Sequence, residues 1–402
     1  MRDQRKGISA KFAAAVVPAV LLLCSGASIQ AEESTADTAV QASAPVEIKA
    51  PAEPGDFEMW RSGMKQRFAA WAPTAGCYTS SYPNTQWEAV PCVEAPARPI
   101  GRVNGLPSRI NVGAPGLVAG GNGTEGRLAD GSTVSTVGNG VAYAAQVSGS
   151  YLTSSEGSFD SVTGVTSEND GGTANLYGLQ LNSYFFPSTS TACKNATLPS
   201  GTTCYAWEQF LYTPEYTNST QYYVYIQYWM FAVTSSGTFS NIKKCPSGWS
   251  LYSGQCYSNS KSVTVPASVQ VISNLKNLKL EGSISGGNDT VTLTSGTKLY
   301  SITASDSVTK LASGWNYAEF NLFGAGGGSA ATFNSGSSIV VRINVNNGST
   351  AAPTCNANGT TGETNNLSLV APCCTYGGSS PSIAFLETNV SPKPTVTCST
   401  LP

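Results

Sequence analysis

The sequence predicts an all-β protein: a two-sheet antiparallel sandwich of the jelly-roll type, with a helix-containing N-terminal extension and a cysteine-rich C-terminal tail. Charged residues make up 11% of the 402 residues, against about 25% in an average soluble protein. Glycine, which favours turns, occurs 41 times. A chain of this length can bury a full core, so we expect it to fold without a partner, as a monomer.

The strands of the sandwich are predicted within residues 139–345, where short β-branched and aromatic runs are separated by Gly, Asn and Ser turns. Residues 222–231 are apolar or aromatic almost throughout, which is typical of a central strand covered on both faces. The predicted runs are 141–152, 159–166, 176–186, 206–213, 221–231, 262–272, 275–284, 289–295, 318–324 and 338–347. Residues 346–402 form the tail, with one final strand, SIAFLET.

The N-terminal region contains a predicted export signal and a disordered leader. Residues 1–31 combine a basic head with an apolar stretch, 12–24, that is too short to span a bilayer. Cleavage is expected after Ala27 or Ala31, and Cys24 leaves a lipoprotein signal as the alternative. We therefore expect a secreted protein, extracellular or periplasmic, with no membrane association after cleavage. Residues 32–54 are rich in Ala, Pro, Glu and Thr and are predicted to be disordered.

One helix is predicted in the extension, residues 55–138. An apolar stripe recurs at steps of three and four residues, as expected for one face of a helix. Its members are Phe57, Trp60, Met64, Phe68 and Trp71. The stripe is interpreted as a packing surface, or alternatively as part of a removable prosegment whose helix docks over a groove of the main domain. Residues 72–130 are rich in Pro and Gly and are predicted to be irregular surface chain.

Cysteine spacing supports an oxidising compartment, because ten of the eleven cysteines follow the predicted signal. Three pairs of close neighbours and one late cluster predict five disulfides. The pairs are Cys77 with Cys92, Cys193 with Cys204, and Cys245 with Cys256; the cluster is Cys355, Cys373, Cys374 and Cys398. Pairing within the cluster stays open. A cysteine metal site would require C-x-x-C ligands, which do not occur, so no metal and no cofactor are expected.

Several function classes are excluded or disfavoured by composition. The chain has no histidine, which removes Ser-His-Asp and Cys-His catalysis. The net charge of −2 gives no basic footprint for nucleic acid. A G-x-G-x-x-G match at 121–126 follows no strand and is interpreted as turn chain. A hydrolase could still use a glutamate as general base with a side-chain amide to stabilise the oxyanion.

Four segments in a fixed order carry a family resemblance. They are a stretch with a G-x-F signature within 141–162, Leu179-Gln180 in LYGLQLNSYFF, the aromatic strand YVYIQYWMF, and Ala318-Glu319-Phe320 followed by GGGSAATFNSGSSIVV. Together they span about half of the chain, 139–345. In this order they resemble the glutamic peptidases, or eqolisins, which are secreted acid endopeptidases on a concanavalin-A-like sandwich.

The resemblance implies roles for particular residues. Glu319 would be the general base and Gln180 the group that positions water and stabilises the oxyanion, with a polypeptide as substrate. The substrate groove would be lined by Tyr225, Gln227, Tyr228 and Trp229. The chain departs from the family pattern at three points: a tryptophan after the first strands is missing, an acidic residue of the aromatic strand is Gln227, and the A-E-W tryptophan is Phe320.

Two other functions are compatible with the same residues. The tyrosine-rich face could bind carbohydrate or peptide without catalysis, since aromatic rings stack on sugars and side chains. The chain could also be a secreted surface protein with no active chemistry. Catalysis requires that Gln180 and Glu319 project from neighbouring strands into one open groove.

Overall fold

The computed structural model describes residues 54–71, 74–99, 142–215, 218–325, 329–356 and 365–401. The predicted signal, and the leader up to residue 53, lie outside these residues, as does the 121–126 glycine motif. Two large antiparallel sheets and one small sheet account for the strands, so the predicted all-β sandwich is confirmed. None of the helices within these ranges has the length and apolarity needed to cross a membrane.

The strands are numbered in chain order. The first half comprises β1 (Gly76–Ser81), β2 (Glu88–Val90), β3 (Val93–Glu94), β4 (Ala144–Gln146), β5 (Ser154–Thr163), β6 (Glu168–Asp170), β7 (Thr173–Ala174), β8 (Tyr177–Asn182), β9 (Phe186–Pro187), β10 (Thr202–Glu215), β11 (Asn218–Thr234) and β12 (Phe239–Ser240). The second half comprises β13 (Ser250–Tyr252), β14 (Gln255–Pro266), β15 (Leu278–Ser285), β16 (Asn288–Ser295), β17 (Lys298–Ser305), β18 (Tyr317–Gly324), β19 (Thr332–Phe333), β20 (Ser338–Asn346), β21 (Thr354–Asn356), β22 (Ser368–Tyr376) and β23 (Ser382–Thr388).

The larger sheet has eleven strands and the other large sheet has nine. The nine-stranded sheet runs β2-β1-β17-β16-β15-β5-β20-β23-β22. The main path of the eleven-stranded sheet is β13-β14-β11-β10-β8-β18-β4-β21, with β12, β3 and β9 paired beside it. A small sheet joins β19, β6 and β7. Helix α2 (Thr191–Asn195) and four short 3-10 turns lie in the connections; the turns are Ala267–Val269, Ile272–Asn277, Asp306–Val308 and Leu311–Ser313.

The main core lies between the two large sheets, because alternate residues of each strand point inward. It contains Phe210 of β10 and Phe320 of β18 together with Leu293 of β16. Glycines let the sheets approach closely at two points. A Cβ added at Gly157 would lie 2.0 Å from the Phe320 ring, and one added at Gly282 would lie 2.3 Å from the Phe210 ring.

Helix α1 (Pro54–Trp71) confirms the predicted helix. Its proline at the first helical position is favourable because that position has no intrahelical N–H bond to lose. In the sequence, Pro73 disfavours continuation of the helix because a proline disfavours helical conformation at the residue before it. Met64 and Phe68 of the predicted stripe are buried, whereas Trp71 is 54% exposed, so only part of the stripe is a packing surface. The helix lies on the outer face of the nine-stranded sheet, where its side chains bond Glu156. It therefore does not dock on the sheet that carries Gln180 and Glu319.

Part of the extension is ordered strand, so the prediction of irregular chain over 72–130 is wrong for residues 76–94. Strand β1 pairs with β17 at the edge of the nine-stranded sheet, and Cys77 and Tyr78 are buried there. Strand β3 pairs with β14 of the other sheet. The sequence signal was weak because these strands are short and separated by Pro and Asn.

All five predicted disulfides are present, and the open pairing is resolved. The three neighbouring pairs form as expected. The late cluster pairs as Cys355–Cys373 and Cys374–Cys398. Cys355 lies on β21 of the eleven-stranded sheet and Cys373 on β22 of the nine-stranded sheet, so this disulfide joins the two sheets. Strand β23 is the predicted final strand, whereas β21 and β22 were not predicted.

Candidate functional site

Gln180 and Glu319 lie on adjacent strands and on the same face of the eleven-stranded sheet. Strand β8 pairs antiparallel with β18, with Asn182 opposite Glu319 and Gln180 opposite Asn321. Residues opposite each other in an antiparallel pair share a face, as do residues two apart along a strand. The expected juxtaposition of the amide and the carboxyl is therefore present.

The alternation of each strand explains why this face is polar. On β8, Leu179 and Leu181 point into the core between the sheets, which leaves Gln180 on the outer face. On β18, Ala318 and Phe320 point inward in the same way and leave Glu319 outside. The outer face continues across three further strands through register pairs. We call this surface the polar face, defined by Gln180, Asn182, Gln209, Gln227, Asn259 and Glu319.

Side-chain amides on the polar face are joined by a chain of hydrogen bonds that starts at an indole. Trp229 Nε1 donates to Gln209 Oε1 at 2.8 Å and to Gln227 Oε1 at 3.0 Å. Gln209 Nε2 donates to Gln180 Oε1 at 2.9 Å. On the other side, Gln227 Nε2 donates to Asn259 Oδ1 at 2.8 Å. The network therefore reaches from β8 across β10 and β11 to β14.

A segment of the N-terminal extension crosses one end of the polar face. We call residues 95–98 the strap. Asn259 Nδ2 donates to the carbonyl of Pro96 at 2.9 Å, and Gln227 Nε2 donates to the carbonyl of Arg98 at 3.0 Å. The Arg98 guanidinium donates to the carbonyls of Pro214 and Ala325. Backbone carbonyls of alternate strap residues are thus held by side-chain amides of the face.

The pair is buried, in contrast to the expected open groove. Gln180 is 2% exposed and Glu319 is fully buried in the full chain. Access of a substrate to these atoms therefore requires displacement of chain that covers them.

Three of the four residues expected to line the groove are on the polar side of the sheet. Gln227 belongs to the amide network, Tyr225 lies with Leu211 beneath the strap residue Ala95, and Trp229 joins an outer aromatic cluster. Tyr228 is different: it points into the main core between the sheets. The expectation that Tyr228 lines the same groove is wrong, because successive residues of a strand alternate between faces.

Several residues of the site were missed from the sequence. Gln209 and Asn259 link the network, and Arg98 fixes the strap, but none is in a motif. Gln209 lies in the predicted strand run Trp-Glu-Gln-Phe-Leu-Tyr. Its position opposite Gln227 depends on the register of β10 with β11. Register between strands is set by tertiary packing and cannot be read from one strand alone.

A second group of carboxyls lies between the two large sheets, with Glu208 on the eleven-stranded sheet and Asp289 on the nine-stranded sheet. Glu208 of β10 and Asp289 of β16 are fully buried neighbours, and Asp306 approaches Asp289. Thr309 Oγ1 donates to Glu208 Oε2 at 2.5 Å. Burial raises the pKa of Glu208 to about 8, and the Asp306 charge acts in the same direction. We call these three acids the inner carboxyl cluster.

The described residues contain no group of three or more acidic or cysteine side chains placed to hold a metal ion. The polar face offers amide donors and acceptors around one carboxyl, a set suited to peptide groups and to proton transfer with water. Neither the protein-family models nor the curated proteins contain a match to this chain. The arrangement of the site is therefore the basis for any functional assignment.

Proposed function

We propose that the chain is a secreted acid endopeptidase of the glutamic type, with Glu319 and Gln180 as its catalytic pair. The observation that carries the proposal is their juxtaposition: two residues 139 positions apart in sequence project from adjacent strands onto one face. The chain supplies no histidine for an alternative base. The five disulfides and the predicted signal, residues 1–31, support export.

In this mechanism the Glu319 carboxylate removes a proton from a water molecule, and the water oxygen adds to the carbonyl carbon of the scissile peptide. Gln180 Nε2 donates a hydrogen bond to the oxyanion that forms on the carbonyl oxygen. Glu319 then returns the proton to the amide nitrogen, the C–N bond breaks, and the amine leaves. An amide donor suits acid conditions because it keeps the same charge at every pH in that range.

The strap supports a polypeptide as the ligand of the polar face. The carbonyls of Pro96 and Arg98, two residues apart, both accept hydrogen bonds from amides of the face. An extended peptide directs alternate groups to the same side. A substrate strand could be held by the same amide donors once the strap has left.

The strap also suggests how activity is controlled in the proposed enzyme. We propose that the extension, residues 55–138, acts as a prosegment whose strap blocks one end of the polar face until it is cut or displaced. The test is N-terminal sequencing of the exported protein before and after incubation at pH 3 to 4. A new N-terminus beyond residue 98 that appears together with activity supports this role, whereas activity of a chain that keeps the strap in place contradicts it.

The catalytic proposal is tested with an unfolded protein substrate at pH 3 to 4 in the presence of a pepstatin-type inhibitor. Glu319→Gln and Gln180→Ala should each abolish hydrolysis. Glu387→Gln changes an equally buried glutamate on the nine-stranded sheet, and Gln255→Ala changes a glutamine away from the pair; both should leave hydrolysis intact. Hydrolysis that survives Glu319→Gln, or a wild type with no hydrolysis after removal of the strap, would reject the proposal.

A non-catalytic peptide-binding protein is the second candidate, and the burial of Glu319 together with the bound strap favours it. Binding of an extended peptide to the strap-free chain, measured by calorimetry, should then persist in Glu319→Gln. A glycan array on the same samples tests the carbohydrate alternative, for which Tyr252, 38% exposed beside Trp229, would supply the stacking surface.

A further inference from the structure

The amide of Gln180 could face the reacting atoms with either end, and only one end can assist catalysis. The Nε2 end donates hydrogen bonds, which an oxyanion accepts, whereas the Oε1 end would repel it. Backbone position does not decide between the two orientations. The neighbours of the amide must decide.

The neighbour that decides is a tryptophan. An indole N–H is a donor and never an acceptor, so both of its partners must present oxygen. Trp229 Nε1 contacts the amides of Gln209 and Gln227, which fixes Oε1 of Gln209 toward the indole. The Nε2 group of Gln209 must then point away from Trp229, toward Gln180.

The orientation of the Gln209 amide in turn fixes the orientation of the Gln180 amide. Because Gln209 Nε2 donates at 2.9 Å, Gln180 must present Oε1 to it. The Gln180 Nε2 group then faces the other way, away from Gln209. Trp229, Gln209 and Gln180 are 3%, 0% and 2% exposed, so water has little access to satisfy a reversed arrangement. If the Gln209 amide were reversed, its N–H group would face the indole N–H of Trp229. If the Gln180 amide were reversed, its N–H group would face the N–H group of Gln209.

We propose that Trp229 and Gln209 are positioning residues that act as a polarity relay, holding the N–H end of the Gln180 amide toward the reacting carbonyl. This inference rests on the proposed function for its catalytic consequence. The orientation of the amide itself does not depend on whether the chain is an enzyme.

Trp229→Phe tests the first link, because it removes the N–H and keeps most of the aromatic volume. The turnover number should fall tenfold or more if about nine tenths of the Gln180 amides then reverse, while KM changes little. Trp207→Phe is the matched control. Trp207 lies opposite Trp229 in the β10–β11 register and is equally buried, but its Nε1 donates to the Ser183 carbonyl at 2.9 Å instead.

Gln209→Glu tests the second link through a pH profile. A protonated glutamic acid can still accept from Trp229 and donate to Gln180, so activity should be kept in acid. The ionised form can only accept, so it should draw the Gln180 N–H end toward itself and away from the substrate. The variant should lose activity at a lower pH than the wild type. If Gln209 had only a structural role, the substitution would not add this second ionisation to the pH profile of activity.

The outcomes separate failure of the relay from failure of the proposed function. Peptidase activity that requires Glu319 but is unchanged within twofold in Trp229→Phe, or a Gln209→Glu profile identical to that of the wild type, overturns the relay. If the wild type is inactive, the side-chain amide signals of Gln180 in ¹⁵N-labelled protein still test it. Those signals should shift in Trp229→Phe and stay in place in Trp207→Phe; unchanged signals in both variants overturn it.

Discussion

Two buried groups of carboxyls, one on the outer face of the nine-stranded sheet and one between the two large sheets, have opposite surroundings. On the outer face of the nine-stranded sheet, Glu156 lies 2.5 Å from both Arg61 and Lys65 of helix α1. On the inner face of the eleven-stranded sheet, Glu208 faces Asp289 and accepts a hydrogen bond from Thr309. Both glutamates are buried, so the difference between them comes from their partners.

The pKa values of the two glutamates move in opposite directions. Burial raises the pKa of Glu208 to about 8, because a charge in the interior loses its hydration and the nearby Asp306 charge adds repulsion. Burial also opposes the charge of Glu156, but Lys65 and Arg61 more than offset it and lower the pKa to about 2. Glu281 has Lys65 as its ion-pair partner, which it shares with Glu156, and burial raises its pKa. The number of cations therefore decides the sign.

The largest expected effect is alkaline loss of stability through the inner carboxyl cluster. The pKa of Glu208 rises on folding from 4.5 to about 8, so between these pH values the folded chain holds a proton that the unfolded chain has lost. Stability must then fall as pH rises through this window, by about 1.4 kcal/mol per pH unit for that one group, or about 5 kcal/mol in total. Urea unfolding at pH 5, 6.5 and 8 measures the slope.

Glu208→Gln should reduce that slope by about 1.4 kcal/mol per pH unit, because a neutral amide can accept from Thr309 without titrating. Burial also raises the pKa of Glu168 to about 8, so Glu168 keeps its share of the slope in this variant. Glu94→Gln, a change at an exposed glutamate of β3, should leave the slope as it is in the wild type. Equal slopes in the wild type and in Glu208→Gln would show that the inner carboxyl cluster does not govern alkaline stability.

The sequence predicted some of these features and not others, for physical reasons. The strand runs were clear, and the family resemblance identified Gln180 and Glu319. The alternation of β8 and β18, which puts Leu179, Leu181 and Phe320 in the core, explains why both lie on the other face. The groove role of Tyr228 was implied by the resemblance. The run that contains Tyr228 is apolar on both faces, so it has no period-two pattern that could have corrected this role. Contact between Glu208 and Asp289 depends on which strands face each other across the sandwich, and a single sequence carries no pattern for that.

The next effect concerns the ion pairs of Glu156 with Arg61 and Lys65 on the outer face of the nine-stranded sheet, which we call the charged face. Arg61→Met removes one cation from Glu156 and leaves a buried carboxylate with only Lys65, which should cost about 3 to 5 kcal/mol of unfolding free energy at pH 6. Urea unfolding gives the value. Adding Glu156→Gln to Arg61→Met should recover part of the loss, since the buried charge is removed. A double variant less stable than Arg61→Met alone would contradict an unpaired charge as the cause.

Acid should weaken the charged face only at low pH. The pKa of Glu156 is about 2 in the folded chain and 4.5 is its ordinary value, so its contribution is complete above pH 4.5 and disappears as pH falls toward 2. The stability difference between the wild type and Glu156→Gln should therefore shrink by about 3 kcal/mol from pH 6 to pH 2. If the stability difference is already lost at pH 4, then Arg61 and Lys65 do not lower the pKa of Glu156 as expected.

The smallest effect separates buried from exposed ion pairs. Lys261 of β14 pairs with Glu94 of β3, next to the strap, with side chains 57% and 79% exposed. Water and salt screen such a pair, so Lys261→Met should change the unfolding free energy by less than about 1 kcal/mol. Urea unfolding in low and high salt should show a difference for Lys261→Met only in low salt. A loss as large as that of Arg61→Met would mean that β3, and with it the strap, is held to the polar face by charge and not by the neutral amides of Gln227 and Asn259.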